Sequence, residues 1–190
     1  MNVYDFDKTI TTKDSTAEFL KWLIRRKPSL VRYLPAAGFA FLRHALKLAD
    51  KTAAKQTLFR IFRGVDDMEA SVEAFWNSHM GLIKPWYETV RKPDDVVISA
   101  SPEFLIKPIC ERLGIGCAMA SVVDPETGVY SGVNCHGAEK VRRFYEAFPN
   151  GHIECFYSDS LIDGPLAAEA DLAFLVTGES TRPWPEVKKR

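Results

Sequence analysis

Long apolar runs are missing from this chain: no uninterrupted hydrophobic stretch approaches the roughly 20 residues of a membrane-spanning helix. An excess of either charge is missing as well. Lys and Arg number 25 against 25 Asp and Glu, for a formal net charge of +0. There is no global basic field to hold a polyanion, which argues against nucleic acid as a partner. Cysteine is sparse. Cys110, Cys117, Cys135 and Cys155 lie far apart with no C-x-x-C pair, so neither a zinc knuckle nor a redox dithiol is signalled. Free thiols in a reducing cytoplasm are the expected state. Asp5 and Asp7 stand where a secretory signal would carry basic and then apolar residues, and the expectation is a soluble cytoplasmic protein. Internal repeats and low-complexity segments are absent. What remains is 190 residues, 46% hydrophobic and 26% charged, the composition of one globular domain or of one domain with a sizeable insert.

The chain opens on a very short extended run, Val3-Tyr4-Asp5-Phe6-Asp7, which reads as a buried strand stopping at a polar site. From Asp14 to about Arg91 the pattern turns helical, with Phe19, Leu20, Leu23 and Ile24, and later Leu58, Phe59 and Phe62, at helical spacing. Pro28, Pro35 and Gly64 punctuate it, and Asp66-Asp67 supplies an acidic helix start. After Pro93 the period changes. Val96-Val97-Ile98 is a β-branched run, and Ser101-Pro102 reads as the N-cap and first residue of a helix ending at Gly114. A strand over residues 117–123, a turn over 124–128 and a return over 129–133 predict a hairpin. A helix is expected at 138–148, a strand at 153–157, a helix near 165–170 and a strand at 172–176. This alternation predicts an α/β fold: a doubly wound, mostly parallel sheet covered on both faces. Residues 1–13 and 92–190 form its core, with an all-α segment inserted at 14–91.

In such a sheet functional groups gather outside the carboxyl ends of the strands. Three predicted strands end in polar residues: Asp5 to Thr9, Ser99-Ala100-Ser101, and Ser158-Asp159-Ser160 with Asp163 a turn further on. If these strands are neighbours, Asp5, Asp7 and Asp159 converge. Carboxylates crowded this closely raise one another's pKa and are tolerated mainly around a cation, and oxygen-only donors favour Mg²⁺. The Ser99 hydroxyl and the following backbone N–H at Ala100 are placed to hold phosphate oxygens whose charge Lys140 offsets. Taken singly, each residue has an ordinary role: a turn for Asp-x-Asp, an N-cap for Ser99 or Ser101, a solvated helix position for Lys140, a helix start for Asp159 and Asp163. Only their joint order points to a site. Cys135 and His136 have no partner at ligand spacing, and His44, His79 and His152 are read as structural.

That order resembles the haloacid dehalogenase superfamily: Asp-x-Asp-x-Thr after the first strand, Ser after the second, a later Lys, and Asp-x-x-x-Asp after the strand at 153. The phosphatase branch matches, and within it the phosphoserine-phosphatase-like subgroup with a helical cap between the first motif and the second strand. Ser99 to Phe104, Asn134 to Lys140, and Tyr157 to Leu166 are similar to that subgroup too. The resemblance implies a Mg²⁺-dependent phosphomonoesterase. Asp5 would be the nucleophile that becomes an aspartyl-phosphate, and Asp7 the acid and base whose backbone carbonyl also ligates the metal. Thr9 and Ser99 would position the phosphoryl group, Lys140 would neutralise it, and Asp159 would complete the protein ligands. Asp163 would join the metal site directly, or by holding a metal-bound water or Lys140.

The substrate expected is a small phosphorylated molecule, either a metabolite or a lipid phosphate. From Lys21 to Arg63 the helical insert is rich in Lys and Arg and carries a single acid, Asp50. It also holds an apolar stretch at 33–42, which the preferred reading places in the insert's own core or over the catalytic domain rather than on a membrane. In phosphoserine phosphatases a glutamate and a cap arginine grip the substrate. Here Asp14 stands at the glutamate position and Leu58 at that of the arginine, with Lys55 and Arg60 nearby. Asp14, Lys55 and Arg60 are therefore the candidate substrate contacts. Phosphoserine hydrolysis proper, and a non-catalytic phosphate-binding module on the same fold, stay open as alternatives. Dehalogenation needs neither Asp7 nor Asp159.

Overall fold

In the computed structural model, which describes residues 1–185, the apolar stub at the start of the chain forms β1 (Asn2–Tyr4), buried at every position. The remaining strands are β2 (Val96–Pro102), β3 (Cys117–Ser121), β4 (Ile153–Ser158), β5 (Ala170–Thr177) and β6 (Ser180–Pro183). They form one sheet of order β3-β2-β1-β4-β5-β6, parallel up to β5, with β6 antiparallel at the edge. Between β1 and β2 the chain makes α1 (Ser15–Arg26), α2 (Leu34–Ala45), α3 (Lys51–Phe59), α4 (Met68–His79) and α5 (Pro85–Val90). The later connections carry α6 (Glu103–Arg112), α7 (Ala138–Ala147) and α8 (Gly164–Ala167). Residues 186–190 of the expected core segment lie outside the described residues.

The strands divide the core by their two-residue period. Val3, Val96, Ile98 and Phe156 face α7 and α8 and pack with Phe144 and Leu166. Tyr4 and Val97 face the other way, toward Trp76, Tyr87, Leu105 and Ile106. Tyr4 stacks on Tyr157 at 4.9 Å between centroids and meets Tyr87 edge-on at 5.1 Å. Fully buried side chains of this size are worth about 1.5–3 kcal/mol each. The helical insert is fastened to the sheet layer by the same contacts. Trp76 on α4 is fully buried, and its Nε1 donates to the Leu105 carbonyl of α6 at 2.9 Å.

The structure departs from the expected elements where tertiary partners compete. β2 runs on through Pro102, and α6 starts at Glu103 without a side-chain cap. Ser101 is not an N-cap, because its hydroxyl is spent on Asp7. The expected hairpin reduces to a single bridge between Val123 and Tyr130. Its turn lies against α3: Gly128 has φ +72°, and an added Cβ would come 2.1 Å from the Phe59 carbonyl oxygen. The edge strand β6 was not expected; it pairs with only one neighbour, β5, and none of its side chains is buried.

The apolar stretch at 33–42 is the clearest reversal. It forms most of α2, yet Ala37 is the one buried residue of that helix, while Phe39 is 64% and Leu42 56% exposed. The preferred reading, that these residues pack in the insert's own core or over the catalytic domain, holds for Ala37 and for Tyr33, which packs against the core, but not for Leu34, Phe39, Phe41 and Leu42. Among the described residues no helix is long and apolar enough to cross a membrane.

Candidate active site

Because β1 lies between β2 and β4, the three polar strand ends meet. The Asp5 N–H donates to the Tyr157 carbonyl at 2.8 Å, carrying the β1–β4 pairing one residue past the strand and setting Asp5 beside the chain that leads to Asp159. The first motif is then pinned to the one after β4 by Thr9, whose Oγ1 accepts from the Asp159 N–H at 2.9 Å. Lys140 enters from the first turn of α7. Its Nζ lies 2.7 Å from Asp5 Oδ1 and 2.7 Å from Asp163 Oδ2, and Ser158 Oγ donates to that same Asp163 oxygen at 2.8 Å.

Asp7 is tied to the insert. One oxygen accepts from the Ser15 N–H at the start of α1 at 2.6 Å, and the other accepts from Ser101 Oγ. Ser101 Oγ in turn accepts from Thr16 Oγ1 at 2.7 Å, so a hydroxyl relay runs from α1 through β2 to Asp7. Together these groups line a cavity of about 200 Å³ that includes Asp5, Asp7, Asp14, Lys55, Lys140 and Asp159, with Ala100 and Ser101 in its wall.

The electrostatics are those of crowded acids. Burial raises the Asp5 pKa to about 7; Lys140 pulls it down, and Asp163 and Asp7 push it up. Asp7 is raised by burial and then by Asp14, and Asp159 by burial and by Asp163. Burial works against the Lys140 ammonium, but Asp5 and Asp163 outweigh it and its pKa is raised. Lys140 takes one Asp5 oxygen, and no side-chain donor among the described residues takes the other or either Asp159 carboxylate oxygen. Free oxygens on acids that repel one another are the donor set of a hard divalent cation. Among the described residues no three acidic, histidine or cysteine side chains close on one point. Asp5 and Asp159 with a backbone carbonyl and water make up the set that fits, and Asp163 is engaged by Lys140 and Ser158 instead.

Several expected contacts are placed differently. Thr9 and Ser99 are fully buried and do not face the cavity; Ser99 Oγ accepts from the Ser101 N–H at 3.1 Å. Both hydroxyls support loops, because the backbone amides they satisfy would otherwise be buried without partners. Asp14 lines the cavity but gives one oxygen to the Ala17 N–H as the N-cap of α1, at 2.8 Å. Lys55 reaches in and donates to the Ala100 carbonyl at 3.1 Å. Arg60 is exposed and outside the cavity, because α3 ends at Phe59 and the chain turns away.

Lys51, Asn134 and His136 line the cavity and were missed as site residues. Lys51 was legible, since it stands four residues before Lys55 on one helix face. His136 is held below its usual pKa by burial and by Lys51. Cys135 beside it is buried, its thiol pushed up to about 11, which suits packing and not nucleophilic chemistry.

The family model described as haloacid dehalogenase-like hydrolase matches residues 3–168. The chain belongs to that family. Protein CicA of Caulobacter vibrioides is 31% identical to this haloacid dehalogenase-like chain over 88% of its length and 82% of the relative's. A probable phosphatase of Mycobacterium tuberculosis is 28% identical over 96% of this chain and 72% of that one. Among solved structures, a protein of unknown function from Bordetella pertussis superposes with a TM-score of 0.73 at 18% identity, covering 88% of this chain and 85% of that one. A phosphoserine phosphohydrolase-like protein from Francisella tularensis gives 0.58 at 16% identity, covering 91% and 86%. The fold is thus the Rossmann-like haloacid dehalogenase fold that the phosphoserine-phosphatase-like members share.

Proposed function

We propose that this hydrolase is a Mg²⁺-dependent phosphomonoesterase that works through an aspartyl-phosphate on Asp5, with residues 14–91 as a cap over a core of 1–13 and 92–190. The observation that carries the reading is Lys140, a buried cation bridging Asp5 and Asp163 on the wall of a cavity that Asp7 and Asp159 share. The relative named as a probable phosphatase supports it.

In this reading a carboxylate oxygen of Asp5 attacks phosphorus, a bond forms from Asp5 to phosphorus, and the bond from phosphorus to the ester oxygen breaks as that oxygen takes the proton Asp7 donates. Asp7 then takes a proton from the attacking water, the Asp5–phosphorus bond breaks, and inorganic phosphate departs. Lys140 keeps Asp5 ionised against the cost of burial and faces the phosphoryl oxygens. Mg²⁺ held by Asp5, Asp159 and the Asp7 carbonyl would supply charge neutralisation of those oxygens. Thr9 positions the Asp159 loop and Ser99 the Ser101 backbone, leaving the Ala100 region to meet phosphate. Phosphoserine itself fits less well: no arginine lines the cavity among the described residues, so the fork that binds a carboxylate with two hydrogen bonds is absent.

The test is phosphate release from nitrophenyl phosphate with and without Mg²⁺, by wild type, Asp5→Asn and Asp159→Ala. Turnover should need Mg²⁺, vanish in the folded Asp5→Asn protein, and require more Mg²⁺ in Asp159→Ala. Full activity in chelator, or substantial activity of Asp5→Asn, overturns the mechanism. Phosphate binding without turnover by wild type returns the non-catalytic module.

A further inference from the structure

Helix α2 is an apolar helix turned outward. Leu34, Phe39, Phe41 and Leu42 are all 36% exposed or more, and Leu46 and Leu48 continue the surface at 61% and 65% just past the helix. Six exposed large apolar side chains within 15 residues are uncommon on a protein that has no use for them. Its surroundings carry one sign of charge. No Asp or Glu occurs between Glu18 and Asp50, whereas Arg32 precedes the helix, Arg43 sits in its last turn and Lys47 lies just past its end. At 12 residues α2 is too short to span a bilayer, so an outward apolar face with a basic rim matches an element lying in the plane of an anionic surface.

The same helix reaches a cavity that adjoins the one holding Asp5. Phe41 lines a second cavity of about 240 Å³ whose apolar wall includes Leu20, Leu58 and Phe59. That cavity shares Asp14, Lys51, Lys55 and Ser101 with the one holding Asp5. A cavity with an apolar wall therefore lies between α2 and the cavity holding Asp5, and the polar residues Asp14, Lys51, Lys55 and Ser101 form the boundary the two share.

We propose that α2 docks on an anionic lipid bilayer and that the site hydrolyses a phosphomonoester borne by a lipid, whose apolar part occupies the adjoining cavity lined by Leu20, Phe41, Leu58 and Phe59. The substrate half rests on the phosphomonoesterase reading. The docking half does not.

The experiment uses the full chain. Sedimentation with vesicles of phosphatidylcholine alone, or with phosphatidylglycerol added, is compared for wild type and the Phe39→Glu/Leu42→Glu variant, whose changed side chains lie outside both cavities. Wild type should bind the phosphatidylglycerol vesicles, less so as salt rises, and the variant should bind roughly ten-fold or more weakly while keeping its melting temperature. No binding by wild type, or equal binding to both vesicles, overturns the docking. So does a stable dimer in sedimentation that the variant dissolves, since α2 then faces a second copy. In parallel, kcat/KM is measured for a long-chain lipid phosphomonoester in mixed micelles, for its water-soluble head-group phosphate, and for nitrophenyl phosphate. The lipid ester should be preferred, with nitrophenyl phosphate hydrolysis unchanged in the variant. Hydrolysis of nitrophenyl phosphate without any preference for the lipid ester overturns the substrate half and leaves the phosphatase reading standing. Loss of all hydrolysis with vesicle binding retained defeats the phosphatase reading and leaves the docking intact.

Discussion

The ammonium of Lys140 lies 2.7 Å from a carboxylate oxygen of Asp5, a residue 135 positions away in the chain. Its side chain is 2% exposed and it holds a second acid, Asp163, at the same distance. Taking such a cation out of water is costly, and the two carboxylates repay the cost only because β1 and β4 are neighbours and α7 starts beside them.

Removing that cation should therefore be felt in stability as well as in chemistry. Lys140→Ala leaves Asp5 and Asp163 buried and facing each other, and a loss of about 3–5 kcal/mol is expected from the urea midpoint in chelator. A loss under about 1 kcal/mol, the range of an exposed pair, would show that the bridge is open to solvent.

Asp7 is expected to matter in proportion to how poor the leaving group is. Asp7→Asn should slow hydrolysis of an alkyl phosphate by about 10²- to 10⁴-fold, the usual contribution of general acid–base catalysis, and that of nitrophenyl phosphate much less. Equal losses on both esters would mean that Asp7 is not the acid of the first step.

Thr9 separates phosphate contact from loop support. Thr9→Val keeps the shape but leaves the Asp159 N–H unpaired, at a cost of about 1–3 kcal/mol. The Mg²⁺ concentration for half-maximal activity should rise with little change in KM for the phosphate ester. A raised KM with unchanged Mg²⁺ dependence would return Thr9 to the phosphate.

Thiol labelling tests the reading of Cys135. Burial raises its pKa to about 11 and that of Cys110 higher still, so both are neutral thiols at pH 8. Iodoacetamide at pH 8 should leave both untouched in the folded protein and modify both in urea. Rapid labelling of native Cys135 would place it at the cavity surface.

The order of the motifs was legible in the sequence because strands that end in Asp, Ser and Asp alternate with helices, and a parallel sheet brings such ends to one side. Asp5, Ser99 and Asp159 could be named as candidates on that ground, Lys140 as the cation to offset their phosphate's charge, and the alternation of periods was enough for the fold class. Tertiary structure alone decided what each group touches. Whether Ser101 caps α6 or bonds Asp7 depends on a residue 94 positions away, and Thr9 meets Asp159 only through pairing of β1 with β4. Arg60 looked as near the site as Lys55 in sequence, but the end of α3 carries it off while Lys51 and Lys55 share the inward face. The apolar pattern of residues 33–42 likewise carries no information on what lies opposite it. Hydrophobic periodicity specifies a face, and only the packing of the other helices determines whether that face is covered; for α2 it is not.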